Sequence, residues 1–422
     1  MKKYILFLLL VFTLPNMHAE DFRHAQRILD WVKLGQGDSL VAQFHPDVKK
    51  SLPVAVVSHI WEGLVAQSGD FKKQMDWTAA RRDTLLLQQC NLVFESESVQ
   101  FSLMTDNEQH IVGIHFSPIA HLFDSLSVDE KKTWAYREKD TLLVNRRVKL
   151  PAVFCRPSEV TGKVPVVVFV NDIGPYDKDA TFGPNKPFRE VAHRLAKRGI
   201  ASLRYDTRTF VYGSRTQEIG GVLTYDTETV DDAVTALEMV SHFEEVDAQQ
   251  LFVVGHSVGG MLAPRIAMLS RVPLAGMVSV AGAARPLKQV LHAQLRYMAK
   301  LQGGSVAQAD SVAEMMYAKL SMSYRTFAAA YNPVGTARGL RIPMLFMQGG
   351  HDFKVTRADF ELWKKGLENI PNAQFVWLEK CDHLFREQPV MSVPGTYMLP
   401  GRISSEAINA VASFIRKNSG KE

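Results

Sequence analysis

The sequence has little cysteine and no strong imbalance of charge. The chain of 422 residues holds three cysteines, and at least one of them stays unpaired. The spacing of Cys90, Cys155 and Cys381 fits no zinc motif and no disulfide-rich scaffold, and we interpret the first two as buried apolar residues. The formal net charge is +5, of which Lys2 and Lys3 supply two. Both signs are mixed along the chain, which speaks against a nucleic-acid partner.

Long apolar runs are also absent beyond the N-terminus. The sequence MKKYILFLLLVFTLPNMHAEDF sets two lysines before an apolar run at residues 4–14. This run is shorter than the ~20 residues that a spanning helix needs. The pattern predicts a cleavable secretory signal over residues 1–19, with an uncleaved anchor as the less favoured alternative. We therefore expect an exported protein, periplasmic or extracellular, without a stable membrane span.

The pattern of helices and strands changes once along the chain. Residues 21–120 begin with helical periodicity in FRHAQRILDWVKL and continue with strand-like runs such as SVQFSLMTD. This order predicts a small α+β accessory domain, and residues 121–134 a linker. Residues 135–422 alternate apolar strands such as VPVVVFV with amphipathic helices. They predict an α/β domain with a mostly parallel, doubly wound sheet.

A serine lies between a predicted strand and a predicted helix. Residues 251–260 read LFVVGHSVGG, in which Ser257 is the centre of a Gly-x-Ser-x-Gly pattern. The flanking glycines permit a sharp turn that lifts the hydroxyl above the edge of the sheet. The pattern alone is weak, and its place between strand and helix makes Ser257 a candidate nucleophile.

An acid and a base follow the serine in the order that this chemistry requires. Asp352 comes directly after the strand PMLFMQGG, and His383 follows the next strand, AQFVWLE. A serine nucleophile needs an imidazole base, and the base needs a carboxylate that orients it. Asp382 is the alternative acid, although its adjacency to His383 disfavours it. Cys381 is a less favoured nucleophile, because Ser257 already occupies the sharp turn between strand and helix, where the nucleophile is expected.

The reaction also needs donors for the negative charge that develops on the substrate oxygen. One should be the backbone amide of Val258, the residue after the nucleophile. The second should come from the loop over residues 171–179, which follows VPVVVFV. No metal ion and no organic cofactor is implied.

Together these motifs resemble the α/β-hydrolase superfamily, in particular secreted bacterial hydrolases related to dienelactone hydrolases and serine aminopeptidases. The segments KPFREVAHRLAKRGIASLRYDTRT, QGGHDFKVT and DHLF add to the likeness, which covers about residues 135–422. The resemblance implies an α/β-hydrolase fold. Its implied site has Ser257 as nucleophile, Asp352 as acid, His383 as base, and the amides of Val258 and Ile173 as oxyanion donors.

Residues 21–120 resemble, more loosely, the small accessory domain often found ahead of such hydrolases, which is cone-shaped like ketosteroid isomerase. It shows no convincing acid–base constellation. The resemblance implies a role in substrate presentation or in self-association rather than a second active site.

One departure from the family pattern lies in the oxyanion loop. Asn171 and Asp172 stand where related chains commonly carry His-Gly. A carboxylate there would repel developing negative charge unless it points away or is paired. An outward-facing turn residue is the favoured interpretation of Asp172. Alternatively it holds a cationic group of the substrate, and His256 is a second candidate substrate-binding residue.

Residues 286–330 fall between two strands, at a point where this superfamily often inserts a cap. Apolar residues recur there at helical spacing, and methionines add soft bulk. A lid over an apolar acyl pocket and a plain core helix are equally compatible with this pattern.

The sequence thus predicts an exported serine hydrolase that cleaves carboxylic esters through an acyl-enzyme. Its expected partner is a small-molecule ester or acyl substrate. A serine exopeptidase of the aminopeptidase type, acting on short peptides, is the first alternative. A non-catalytic binding protein of the same fold is the second.

Overall fold

A computed structural model describes residues 22–49, 53–94, 98–119 and 135–420. The predicted signal segment and the predicted linker at residues 121–134 lie outside these ranges. Within them, no helix combines the length and the apolar character needed to cross a membrane.

The N-terminal unit packs short helices against an antiparallel sheet. The sheet has the strand order β1-β3-β4-β5, and β2 pairs with β3. Alternate residues of β3, such as Cys90 and Leu92, face a core that also receives Ile28 and Leu29 from the first helix. The α+β prediction for this region is confirmed. Its elements are α1 (Arg23–Lys33), α2 (Gly37–Ala42), α3 (Pro46–Lys49), α4 (Val54–Val57), α5 (Ile60–Ser68), β1 (Phe71–Gln74), β2 (Thr78–Arg82), β3 (Leu85–Phe94), β4 (Ser98–Thr105) and β5 (Ile111–Ile119).

The second unit is built on an eight-stranded sheet. Its order is β13-β12-β11-β10-β8-β9-β7-β6, and its pairings are parallel except those of β7 with β6 and β9. All seven residues of β8 are buried, because helices cover both faces of the sheet. This confirms the predicted mostly parallel sheet. Its strands are β6 (Tyr136–Asn145), β7 (Val148–Pro157), β8 (Val164–Val170), β9 (Ala201–Tyr205), β10 (Val246–His256), β11 (Gly276–Val280), β12 (Met344–Gly349) and β13 (Ala373–Leu378).

Helices form a layer on each side of this sheet. Two buried clusters result, one lined by Leu237 and Leu262 and the other by Leu195 and Ile408. The helices are α6 (Pro187–Ala196), α7 (Arg208–Tyr212), α8 (Thr216–Gly220), α9 (Asp231–Ser241), α10 (Val258–Leu269), α11 (Leu287–Leu301), α12 (Val306–Lys319), α13 (Met322–Ala330), α14 (Pro333–Arg338), α15 (Arg357–Gly366) and α16 (Ser405–Lys417).

The helices α11 to α13 occupy the predicted cap segment between β11 and β12. Val290 is the one buried residue of α11, and α12 buries only Ala309 and Ala313. Met315 and Met316 are exposed. α11 and α12 therefore do not form a core layer, whereas α13 contributes Tyr324 to the core. The lid function stays a prediction.

The two units meet at a loop near the C-terminus. Leu399 belongs to the second unit in sequence but lies in the buried cluster of the N-terminal unit. The side chain of Gln67 donates to the oxygens of Asn185 and Gly401. The N-terminal unit therefore packs against the loop that contains Leu399 and Gly401, which follows His383 in the chain.

Candidate active site

Ser257 occupies a strained turn between β10 and α10. Its φ of 57° and ψ of −119° are rare for a residue with a side chain, and they mark a sharp reversal of direction. A Cβ added at Gly255 would lie 2.1 Å from the carbonyl oxygen of Gly259, and one added at Gly259 would lie 2.3 Å from that of Val170. Only glycine fits either position, so the sequence pattern reports a real steric demand.

Asp352 lies three residues beyond β12, in a loop that is built around its carboxylate. Oδ1 accepts the backbone amides of Lys354 at 2.7 Å and Val355 at 3.0 Å. Oδ2 accepts the Nε2 of Gln348 at 3.0 Å and the Nδ1 of His383 at 2.7 Å. Four donors thus hold the acid in one orientation, and the side chain of Gln348 is one that the sequence pattern did not reveal.

His383 follows β13 and is oriented by Asp352. Its side chain is 2% exposed, and its Nδ1–H donates to Oδ2 of Asp352. This bond places the proton on Nδ1 and leaves a lone pair on Nε2. Among the described residues, Nε2 has no hydrogen-bond partner. The imidazole is therefore in the tautomer that a general base requires.

His256 lies beside the imidazole of His383. The two ring centroids are 4.7 Å apart, and Nε2 of His256 donates to the backbone carbonyl of His383 at 2.8 Å. Burial, with a smaller contribution from His383, lowers the pKa of His256 to about 3. A neutral His256 thus steadies the backbone of His383. The assignment of His256 as a substrate-binding residue stays a prediction.

Asp172 points into the site, so the favoured outward-facing interpretation was wrong. Its Oδ2 accepts the hydroxyl of Ser257 at 2.8 Å, and its Oδ1 accepts the backbone amide of Ile173 at 2.8 Å. The serine hydroxyl consequently donates to Asp172 and not to His383. The expectation of an open oxyanion donor at Ile173 also needs correction, because the carboxylate of Asp172 already occupies that amide.

The other expected oxyanion donor is the backbone amide of Val258. Val258 is the first residue of α10, with Ser257 as the preceding cap. The first amides of an α-helix have no acceptor within the helix, and the helix dipole adds partial positive charge there. The amide of Val258 is therefore suited to bind an oxyanion, as the sequence predicts.

A second carboxylate, which sequence reasoning missed, lies beside the oxyanion loop. Oε1 of Glu228 accepts the backbone amide of Gly174 and the hydroxyl of Thr209, each at 3.1 Å. Burial raises the pKa of Glu228 despite these two donors. Glu228 lies in a π-helical turn at residues 226–230, before α9. No motif around it signals this position, which depends on the packing of distant segments.

The neighbours of His383 that the sequence offered as alternatives have other partners. Oδ2 of Asp382 accepts Nε and Nη2 of Arg386 at 3.0 and 2.8 Å, and this ion pair is buried. Cys381 is buried, and burial raises its thiol pKa to about 12. A thiol in this state is a poor nucleophile. Cys90 and Cys155 are buried too, as predicted.

Comparisons with known proteins show which family this sequence is similar to. The sequence pattern of the alpha/beta hydrolase family matches residues 167–391. Esterase EstD of Thermotoga maritima is 31% identical over 382 residues, which cover 88% of this chain and 89% of that protein.

Solved structures are also similar to this chain, at lower identity. A puromycin-hydrolyzing peptidase of Mycobacterium tuberculosis is similar over 83% of this chain and 48% of its own, with 15% identity and a TM-score of 0.50. An esterase of Pyrobaculum calidifontis is similar over 67% of this chain and 86% of its own, with 18% identity and a TM-score of 0.48.

Proposed function

The chain belongs to the alpha/beta hydrolase family, and from this premise we propose that it is a serine hydrolase that cleaves carboxylic esters through an acyl-enzyme. The observation that carries the proposal is the buried His383–Asp352 pair, in which Asp352 follows β12 and His383 follows β13, both downstream of Ser257 in the chain. The likeness to an esterase over most of the chain supports the choice of ester as substrate.

The proposed reaction starts with a change of hydrogen-bond partner. The hydroxyl of Ser257 leaves Asp172 and donates to the free Nε2 of His383. The oxygen of Ser257 then attacks the ester carbonyl while Nε2 takes its proton, and Asp352 stabilises the imidazolium that forms. Nε2 returns this proton to the leaving alcohol. A water molecule, deprotonated by the same nitrogen, next releases the acid and restores the serine.

The amide of Val258 is the proposed first donor to the developing oxyanion. The amide of Ile173 becomes the second when the carboxylate of Asp172 moves off it. Removing one oxyanion donor typically costs about 10²–10³ in rate, so the position of Asp172 has a large effect on turnover.

The test is a panel of nitrophenyl esters, thioesters and anilides with Ser257→Ala as the control. We expect ester hydrolysis by the parent protein and its loss, by several orders of magnitude, in the variant. A fluorophosphonate should label the parent and not the variant. Full turnover by a correctly folded Ser257→Ala protein would refute the proposal, and failure to label would favour a non-catalytic binding protein.

A serine exopeptidase is the second candidate, and the carboxylate of Asp172 beside the nucleophile favours it. An acid in that position could bind the free amine of a short peptide. The panel separates the two functions, because an exopeptidase would cleave aminoacyl-nitroanilides. Absence of anilide cleavage would remove this candidate.

We also propose that the protein is exported after removal of residues 1–19. The two lysines and the apolar run ahead of Ala19 support this proposal. Expression of the full chain in a bacterium, followed by fractionation and N-terminal sequencing, tests it. A chain that keeps Met1 and its apolar run in the cytoplasmic fraction would contradict export.

A further inference from the structure

A thiol, an imidazole and a carboxylate converge at the antiparallel edge of the eight-stranded sheet, outside the proposed active site. One metal-binding atom from each of Cys155, His193 and Glu138 lies within 4.8 Å of the other two. Glu138 on β6 and Cys155 on β7 are direct cross-strand partners, and His193 lies in the last turn of α6. Within the described ranges, no other three His, Cys, Asp or Glu side chains bring single ligand atoms this close together.

The contacts of Glu138 leave one of its oxygens for an ion. Nε2 of His193 and Nη2 of Arg204 each lie 2.9 Å from Oε1 of Glu138, so both contacts use the same oxygen and neither uses Oε2. Arg204 also donates through Nε to Oδ1 of Asp179 at 3.1 Å. The guanidinium therefore keeps a charge partner when Glu138 turns toward an ion.

The other two side chains are also placed for binding. The ring of His193 stacks on Tyr136 with centroids 3.9 Å apart, which fixes its orientation. Burial lowers the pKa of His193 and so favours the neutral imidazole that metals bind. Cys155 is fully buried, whereas the side chains of His193 and Glu138 are 22% and 33% exposed. An ion can therefore reach the thiol from the solvent side of the cluster.

The chemistry of these three groups favours zinc. Thiolate, imidazole and carboxylate are the ligands of Zn²⁺ in proteins, whereas Mg²⁺ and Ca²⁺ prefer oxygen ligands alone. Tetrahedral zinc, with bonds of ~2.0–2.3 Å, holds its ligand atoms about 3.3–3.8 Å apart. The three ligand atoms therefore need to move by no more than about 1.5 Å to reach this geometry.

We propose that Cys155, His193 and Glu138 bind a Zn²⁺ ion, with a water molecule as the fourth ligand. The thiol proton passes to the solvent as the zinc–sulfur bond forms, and the neutral imidazole binds through its unprotonated nitrogen. The ion ties β6 and β7 to α6, the first helix after the oxyanion loop. This structural role is independent of the proposed ester hydrolysis.

Cobalt absorption tests the site directly, because Co²⁺ can replace Zn²⁺ and reports a thiolate ligand. The purified protein is freed of metals with a chelator and then titrated with Co²⁺. We expect one equivalent to produce the near-ultraviolet absorption of a thiolate bound to cobalt, and Zn²⁺ to remove it. Calorimetry should show one zinc site with release of a proton, and Tm should rise once the zinc concentration exceeds Kd.

Variants of the three ligands identify the site. Cys155→Ser should abolish the thiolate absorption. Glu138→Gln and His193→Asn should each weaken zinc binding by at least about 10-fold, since even the outer partners of metal ligands are worth about 10–100-fold in affinity. Glu138 is partly exposed, so Glu138→Gln still tests the site if Cys155→Ser does not fold.

Two control variants separate this site from other thiols and histidines. Cys90→Ser removes another buried thiol, and His292→Asn removes an imidazole that contacts Asp310 and Glu314 at 2.8 and 3.0 Å. Both should keep the cobalt absorption and the zinc affinity of the parent protein. A parent protein without the thiolate absorption, or an absorption that persists in Cys155→Ser, would overturn the inference. Unchanged zinc affinity in Glu138→Gln and His193→Asn would overturn it as well.

Discussion

At the scale of single residues, the serine hydroxyl has two competing acceptors. Asp172 accepts it in this structure, and the free Nε2 of His383 is the acceptor that catalysis would use. The meeting of Asp352 and His383 could be predicted because the parallel strands before them end at one edge of the sheet. The direction of Asp172 could not, because neither spacing nor turn chemistry specifies the orientation of a loop side chain.

The choice between two acids gives a residue-scale prediction. Asp352→Asn should lower kcat by about 10⁴ with a normal fold, because an amide at that position favours the wrong tautomer of His383. Asp382→Asn should instead lower stability, because it leaves the buried guanidinium of Arg386 without its charge partner. Ester kinetics and urea unfolding on both variants check this. The reverse pattern would make Asp382 the catalytic acid.

His256 gives a second residue-scale prediction, for the dependence of stability on pH. Its folded pKa of about 3 lies below the unfolded value of about 6.5. Between these values the unfolded chain binds a proton that the folded chain does not, so stability rises with pH and falls on acidification. His256→Asn should therefore lose less stability than the parent between pH 6.5 and 4.5. Urea unfolding at several pH values measures this, and parallel curves would contradict it.

At the scale of elements, the apolar runs of the sequence predicted the strands of the central sheet. The shortest helical elements could not be predicted. β8 and β12 are entirely buried, and such strands are recognisable from their composition. The four-residue α3 and the π-helical turn at residues 226–230 carry no comparable signal, because one turn holds too few residues to show a period. That π-helical turn carries Glu228, which is why the second acid was missed.

An ion pair between elements gives an element-scale prediction. Arg208 at the start of α7 pairs with Asp232 in α9, both nearly fully buried, and Asn145 donates to the same carboxylate at 2.7 Å. Asp232→Ala should destabilise the fold by about 3–5 kcal/mol, because it strands the guanidinium in the core.

The matched control removes both charges. Arg208→Met combined with Asp232→Leu should lose much less stability than Asp232→Ala, since no uncompensated charge remains. Chemical unfolding of the three proteins measures the difference. Equal losses for the single and double variants would indicate that packing, and not the stranded charge, dominates at this site.

At the scale of the whole molecule, the segment at residues 399–401 links the accessory unit to the loop that carries His383. Leu399 lies in the core of the N-terminal unit, and its carbonyl accepts Nη1 of Arg386 at 2.8 Å. Arg386 holds Asp382, the neighbour of His383. The change from an α+β pattern to an α/β pattern could be predicted from the sequence. The docking of the accessory unit could not be predicted, because it depends on contacts such as that of Gln67 with Gly401, which lie 334 positions apart in the chain.

The contact between α5 and this segment gives the last prediction. A Cβ at Gly63 would lie 2.4 Å from the carbonyl oxygen of Pro400, so Gly63→Ala must displace backbone. In an undocked helix the same change would stabilise by up to about 1 kcal/mol through helix propensity. In this docked helix we expect Gly63→Ala to lower the free energy of unfolding by about 1–3 kcal/mol and to lower kcat, because the segment at residues 399–401, which contacts Arg386, shifts.

The matched control is Glu62→Ala, at an exposed residue of the same helix, which should change the free energy of unfolding by no more than about 0.5 kcal/mol. Chemical unfolding measures whether Gly63→Ala stabilises or destabilises the fold, and ester kinetics measure kcat. A stabilised and fully active Gly63→Ala protein would mean that the two units do not dock through Pro400 in solution.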